Sequence, residues 1–295
     1  MSAAPWPAPA KLNLFLHVTG RRPDGNHELQ TLFQLIDLQD ELSVLVRPDG
    51  RLTLTGGPPG VPAEEELTLR AARLLRDRAG LPQLGAELGL VKRIPVGGGL
   101  GGGSSDAATV LVALNELWGI RWDIERLAAL GLELGADVPV FVRGGNAVAR
   151  GIGERLEPVA LPPRSYAVVY PGAPVSTRSA FQAPELTRNS AEIIISGCLL
   201  PNAHDAVLPG HNDLEPVVAA RHPAVRAALD WLSARGTSAR LTGSGACVFA
   251  IYPDRNAAQA ALGGMPAGWM GFAVDGLERS PLIDRLAAAR SVARR

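Results

Sequence analysis

Lysine is almost missing from this chain. Of its 29 basic residues only Lys11 and Lys92 are lysines, and the rest are arginines. A composition that takes arginine wherever a positive charge suffices leaves lysine where a compact point charge is wanted and a planar fork does not fit. Chance retention is the plainer reading, but Lys92 stands five residues before the chain's densest glycine cluster. Net charge is missing too: 29 acids balance 29 bases. That excludes bulk electrostatic attraction to nucleic acid or to an anionic membrane. The basic end "ARSVARR" then reads as a solvated helix end. Cysteine is reduced to Cys198 and Cys247, too few for a disulfide framework and without metal-ligand spacing. The five histidines include no HExxH-type pair. No apolar run approaches the roughly 18 residues of a membrane span. "MSAAPWPAPA" has neither the charged segment nor the apolar core of a secretory signal. A cytoplasmic protein without nucleic-acid or membrane partners is expected.

What is present is a chain of 295 residues with 46% hydrophobic side chains, enough for a sizeable core. At about 150 residues per domain, two domains are expected. "LPPRS" marks a boundary, giving an N-terminal domain over 1–160 and a C-terminal domain over 161–295. "AKLNLFLHV" alternates, with Leu12, Leu14, Leu16 and Val18 on one face and Lys11, Asn13, Phe15 and His17 on the other. That period predicts a strand with one buried face. "RRPDGNHE" is a turn by its Pro-Asp-Gly. "LQTLFQLI", "ELSVLVR" and "RLTLTG" read as three strands separated by "DLQD" and "PDG", and "AELGLVKR" as another. "EEELTLRAARLLRDRAG" reads as a helix with acids in its first turn and Gly80 at its end. "DIERLAALGLELG" is a further helix, and "ADVPVFVRGGNAVARG" reads as short strands about Gly144 and Gly145. Strands come in runs, mixed with helices, which favours α+β over a doubly wound sheet.

The stretch "IPVGGGLGGGSSDAATVL", Ile94 to Leu111, concentrates the chemistry. A glycine cluster this dense is a linker or a place of close backbone approach, because each glycine gives up more freedom on folding than other residues. Both flanks are ordered and apolar, which rejects the linker. After the loop Ala107, Val110, Leu111, Leu114, Leu117 and Trp118 keep helical spacing. Ser104 or Ser105 can cap that helix, and Asp106 suits its positive end. Strand, glycine turn and helix N-terminus together form an anion site. No Gly-Lys-Ser/Thr follows, so this is not a Walker loop. The GxGxxG dinucleotide fingerprint does not fit either.

"PVGGGLGGGSSDAA" resembles the phosphate loop of the GHMP kinases, and two more of that family's motifs stand in the expected order: "PAKLNLFL" near the start and "LTGSGACVF" near the end. "RRPDGNHELQTLFQLIDLQDEL", "LGADVPVFVRGGNAVARGIGE", "PELTRNS" and "HNDLEPVV" extend the resemblance from Pro9 to Asp275. It is to a branch of the family whose alcohol substrate carries a cytidine diphosphate. The resemblance implies a two-domain α+β fold with the active site in the cleft, ATP as phosphoryl donor and magnesium with it. It implies Asp137 as the base for the substrate hydroxyl and Lys11 as the group that holds that hydroxyl. Pro95, Val96, Gly97, Gly98, Gly99, Leu100, Gly101, Gly102, Gly103, Ser104 and Ser105 would take the phosphates of ATP, with Lys92 near the nucleotide. His27 would hydrogen-bond the cytosine and Phe181 would stack on it. Asn13 and Thr177 would position the substrate, and Thr242, Gly243, Ser244 and Gly245 would close the site. The metal ligands stay open, with Ser104 or Ser105 as candidates. Phosphoryl transfer needs a phosphate cradle, a cation and a carboxylate by the attacking hydroxyl; Lys11 and Asp137 are suitable types. Two positions depart from the family: Asn26 stands where Tyr is common, and Glu66 where Asn is. A homoserine- or mevalonate-type kinase of the same family, or a nucleotide-binding protein without activity, are the competing readings.

Overall fold

A computed structural model describes residues 4–58, 61–62, 65–194, 210–236 and 238–292. The alternating stretch near the start forms strand β1 (Trp6–Arg21), paired antiparallel along β2 (His27–Arg47). β1 is buried on both faces: Lys11, Asn13, Phe15 and His17 are as inaccessible as the leucines between them. The expected solvent face does not exist, because packed layers cover both sides of the pair. Phe33 and Leu35 of β2 pack among helices, whereas Leu32 and Ile36 pack with Tyr166, Val168 and Phe249 of a second sheet. Lys11 lies opposite Leu35 and Asn13 opposite Phe33, so both polar side chains share the helix-facing side. A register shift between Asn13 and Leu16 breaks the alternation, and Phe15 joins the cluster of Leu12 and Leu14.

The first sheet runs β3 (Leu52–Gly56), β4 (Gly85–Val91), β2, β5 (Ala147–Gly151), β6 (Arg155–Pro158), with β1 on β2. "DLQD" does not divide β2, contrary to its reading as a separator. With neither Pro nor Gly, it is absorbed as a bulge in which Asp37 and Leu38 fall opposite the Pro9–Ala10 step. Helix α1 (Leu67–Ala79) ends on Gly80 in the left-handed conformation. Its first turn holds no acid. Glu66 precedes it as the cap, Oε2 accepting from the Leu69 N–H at 3.0 Å. α2 (Gly102–Leu117) and α3 (Ile124–Leu132) complete the helical layer, with α4 (Val138–Arg143) where strands are expected. Five consecutive residues of α4, Val138 to Val142, are buried. A short apolar run carries no period that separates helix from strand. Pro139 in its first turn and the left-handed Gly144 after it fix the helix.

The second sheet orders β10 (Met270–Asp275), β7 (Ser165–Tyr170), β9 (Val248–Tyr252), β8 (Arg240–Leu241). It is flanked by α5 (Thr177–Phe181), α6 (Leu214–Arg221), α7 (Pro223–Ser233) and α8 (Arg255–Ala261). The first sheet uses residues up to Pro158 and the second residues from Ser165 on. Helix α9 (Pro281–Val292) crosses back: Leu282 and Leu286 pack in the core of the first sheet and its helices. Among the described residues no helix is long and apolar enough to cross a membrane. Cys247 is buried with a free thiol, and Cys198 lies outside the described residues.

Candidate active site

The glycine loop joins β4 to α2. Gly99 and Gly101 both have φ of 73°, a left-handed conformation that side chains resist. A Cβ at Gly99 would lie 2.3 Å from the Thr242 carbonyl, and one at Gly101 2.8 Å from the Phe141 ring and 3.1 Å from Lys11 Cε. The close approach inferred from the sequence is therefore partly to the protein's own chain. The Ala246 and Cys247 N–H groups donate to Gly97 and Gly98 carbonyls at 3.0 Å, tying the 242–247 loop of the second sheet against the glycine loop. Gly101 is the N-cap of α2 and contributes no side chain; Ser104 and Ser105 lie inside the first turns and do not cap it. The first N–H groups of α2 have no partner within the helix. They open on a cavity of about 560 Å³ lined by Pro95 to Ser104. Ser105 is fully buried, its hydroxyl without a partner, and does not line the cavity.

Opposite the loop, Lys11 is held from three sides. Its Nζ donates to Asn13 Oδ1 and to the Gly99 carbonyl at 3.0 Å, and stands 3.3 Å from Asp137 Oδ2. Asn13 is fixed in turn: its N–H donates to Thr242 Oγ1 at 2.9 Å and its Nδ2 to Thr31 Oγ1 at 2.8 Å. The two residues next to each other on β1 thus carry one ammonium group to a set position in the cavity wall. Asp137 precedes α4 at the capping position, yet its side chain makes no capping hydrogen bond. The carboxylate is a third exposed and faces the cavity beside Lys11. An oriented cation and a free carboxylate share one wall, across from a helix N-terminus.

Lys92 also lines the cavity, but its ammonium is committed. It contacts Asp40 and lies 2.6 Å from Asp106 Oδ2, both carboxylates buried. Burial opposes the charge on Lys92, but Asp106 and Asp40 outweigh it and raise its pKa above the ordinary lysine range. Burial, with Asp40 nearby, pushes Asp106 well above the ordinary carboxylate range. Asp40 also accepts the N–H groups of Arg93 and Ile94 at 2.5 and 2.9 Å, so it pins the start of the glycine loop.

On the other side of the cavity Phe181 forms part of the wall, with Thr177 and Ser244, whose hydroxyls are 2.8 Å apart. His27 does not line the cavity; its ring packs on Phe181 with centroids 5.2 Å apart and planes at 32°. Its Nε2 accepts from Arg188 Nε at 3.1 Å. Burial, then the charges of Arg188 and Arg21, hold its pKa below the ordinary histidine value. Thr242 is buried and serves Asn13, and Gly243 and Ser244 line the cavity. Gly245 takes φ of 83° and donates its N–H to the Thr242 carbonyl at 2.9 Å, closing the turn.

Residues 66–145 match the GHMP kinases N terminal domain, and residues 194–269 match GHMP kinases C terminal. The chain belongs to the GHMP kinases. It is 54% identical over 281 residues to the 4-diphosphocytidyl-2-C-methyl-D-erythritol kinase of Alkalilimnicola ehrlichii, covering 95% of this chain and 94% of that protein. The enzyme of the same name from Nitrosospira multiformis is 53% identical over 280 residues, with 94% and 92% covered. A crystal structure of 4-(cytidine 5'-diphospho)-2C-methyl-D-erythritol kinase superposes with a TM-score of 0.80 at 38% identity, covering 92% of this chain and 98% of that one. Homoserine kinase from Cytophaga hutchinsonii shares the fold, with a TM-score of 0.70 at 20% identity and 95% and 96% covered. This GHMP kinase is therefore an ATP-dependent phosphotransferase of the two-domain α+β type.

The two departures from the family pattern have local explanations. Glu66 uses both carboxylate oxygens at the start of α1, taking the Thr68 hydroxyl at 2.7 Å as well as the Leu69 N–H. Asn26 is exposed in the turn, where its N–H donates to Asp24 Oδ1 at 2.9 Å and its carbonyl accepts from Arg22. Three residues of this GHMP kinase's site went unread in the sequence: Asp40, Arg188 and Asn212. Asn212 Nδ2 donates to the Leu241 and Gly243 carbonyls at 2.9 and 2.8 Å, holding the 242–247 loop. Asp40 alone left a signal, as an acid within a run that otherwise continues a strand.

Proposed function

We propose that this kinase transfers the γ-phosphoryl group of ATP to the tertiary hydroxyl of 4-diphosphocytidyl-2-C-methyl-D-erythritol, a step toward isoprenoid precursors outside the mevalonate route, in the cytoplasm. The observation that carries the reading is the Lys11–Asp137 pair, 3.3 Å apart and on the same cavity as the α2 N-terminus. The substrate follows from what the close relatives are named for. The alcohol oxygen attacks Pγ, the bond from Pγ to the ADP oxygen breaks, and the hydroxyl proton passes to Asp137. Lys11 holds the hydroxyl and offsets charge as it moves onto the transferred group. The α2 N–H groups and glycine loop take the phosphates through the backbone, which costs no reorganisation as charge develops. Thr177, Asn13 and the loop Thr242 to Gly245 would position the alcohol, with Phe181 stacking on the cytosine and His27 bonding it. Among the described residues no group of three metal-ligating side chains occurs. Magnesium fits such a site nevertheless, since it is commonly held by substrate phosphates and water with one or two protein oxygens. The Ser104 hydroxyl, at the cavity, is a suitable donor, and the ion would offset phosphate charge.

The test is ADP release from magnesium ATP with each of three alcohols: the cytidylyl methylerythritol, homoserine and mevalonate. Turnover with the first alone is expected. Turnover only with homoserine or mevalonate overturns the substrate, and none with any alcohol, with ATP still bound, overturns the reaction.

A further inference from the structure

Among the described residues, Arg188 is the guanidinium that bonds both the His27 ring and the Phe181 carbonyl, the two residues expected at the cytosine. Nε donates to His27 Nε2 at 3.1 Å, Nη1 to the Leu186 carbonyl at 2.9 Å, and Nη2 to the Phe181 and Ala183 carbonyls at 3.2 and 2.6 Å. Four of its five N–H groups are used. Arginine only donates, and in proteins it is never deprotonated. A histidine nitrogen that accepts from it must carry a lone pair. The ring is then neutral, with its proton on Nδ1. Among the described residues Nδ1 makes no hydrogen bond. That N–H is thus a fixed donor without a partner among the described residues, on a ring packed against Phe181 of the cavity wall. The other three bonds of the guanidinium hold the end of α5 and the turn after it. His27 opens β2 of the first sheet, whereas Phe181 closes α5 beside the second. Neither ring is placed by its own strand or helix alone.

We infer that Arg188 is a positioning residue for the nucleoside end of the substrate: it locks His27 in the Nδ1–H form and sets its ring against Phe181. The inference rests on the proposed function, in which a pyrimidine binds here. The ring edge of cytosine carries two acceptors, O2 and N3, and a neutral Nδ1–H meets either. An Nε2–H tautomer would turn a lone pair toward the same place and repel both. Lysine cannot replace Arg188, because a point charge cannot reach one imidazole nitrogen and three carbonyls in one plane. The lowered pKa of His27 agrees with this, since a protonated ring could not accept from Arg188.

The tautomer is read directly by long-range 1H–15N NMR of the histidine rings in the free protein at neutral pH. Wild type is expected to show Nδ1 protonated and Nε2 bare. In Arg188→Lys the His27 pattern shifts toward Nε2–H. The same variant raises KM for the cytidylyl alcohol about tenfold, the usual size of one lost hydrogen bond, while kcat and KM for ATP stay within about twofold. A wild-type proton on Nε2 overturns the inference even if the variant fails to fold. So does a folded variant with an unchanged His27 pattern or an unchanged KM, since Arg188 would then be only a loop staple. If wild type does not turn over the cytidylyl alcohol at all, the functional reading fails, and the ring pattern still decides what Arg188 does to His27.

Discussion

Both lysines of the chain sit in the wall of one cavity, and they differ in what remains free. Lys11 shares its charge with a carboxylate that is open to the cavity; Lys92 spends its charge on two buried ones. Replacing Asp137 by Asn keeps the shape beside Lys11 but removes the proton acceptor. General-base loss of this kind costs about 10²–10⁴ in kcat. Asp137→Asn should therefore lose at least about 100-fold in kcat with ATP affinity within about threefold, since the phosphates meet backbone rather than Asp137. Steady-state ADP release and ATP titration check both numbers. Lys92→Met should act on stability instead. It strands Asp40 and Asp106 in a buried site, and breaking a buried pair costs about 3–5 kcal/mol. Urea unfolding reads the difference; a midpoint close to wild type would show the pair to be dispensable. The scarcity of lysine made both positions legible in the sequence. Asp137 was legible only through the family resemblance, since no local pattern brings it to Lys11, and the pairing of Lys92 with Asp40, 52 residues away, was not legible at all.

At the level of elements, legibility followed the strength of the local signal. α1 and α2 carry long apolar periods, with Gly80 closing α1, and are where the sequence puts them. In α4 and the middle of β2 the local pattern points to the wrong element, for related reasons. A six-residue helix with five apolar residues in a row has no visible period, and a strand that bulges at two residues imitates two strands. The end of α2 shows a subtler shift. Serines near a helix start suggest caps, but here Gly101 takes that place because nothing larger fits between Phe141 and Lys11. Gly101→Ala tests that reasoning. The new Cβ would have to displace the Phe141 ring or Lys11, and the residue would be held at φ of 73°, which costs an alanine about 1–2 kcal/mol. Moving Lys11 is expected to cut kcat/KM, by up to about 100-fold where the shift approaches 1 Å. Far-ultraviolet circular dichroism should stay near wild type. Activity within a few-fold of wild type would mean that Lys11 tolerates displacement and that its placement is not what the loop protects.

For the molecule as a unit, the question is whether two sheets make two independent bodies. Composition suggested a boundary at "LPPRS", and the sheets do part there in sequence. Their cores do not part in the same way. Leu12, Leu14, Phe15, Leu32 and Ile36 from the first sheet form one buried cluster with Tyr166, Val168, Phe249 and Val274 from the second. Interfaces between separable domains are more polar than this. Main-chain bonds cross as well: Leu16 N–H to the His211 carbonyl at 2.9 Å, Asp213 N–H to the Leu16 carbonyl at 2.9 Å, and Leu277 N–H to the Leu35 carbonyl at 2.8 Å. α9 then returns Leu282 and Leu286 to the first core from the far end of the chain. Neither sheet can lose its partner without exposing a large apolar face. Unfolding should therefore be a single cooperative event, despite a length at which separate transitions are common. Calorimetry should give one peak whose heat matches the van't Hoff value. Fluorescence from Trp118, in the first core, and from Trp231, beside the second, should change at one temperature in variants that keep only one of them. Two separated midpoints would mean that the shared cluster fails to couple the sheets. The cleft would then rest on two bodies free to move, rather than on one frame that holds Lys11, Asp137 and the glycine loop in register.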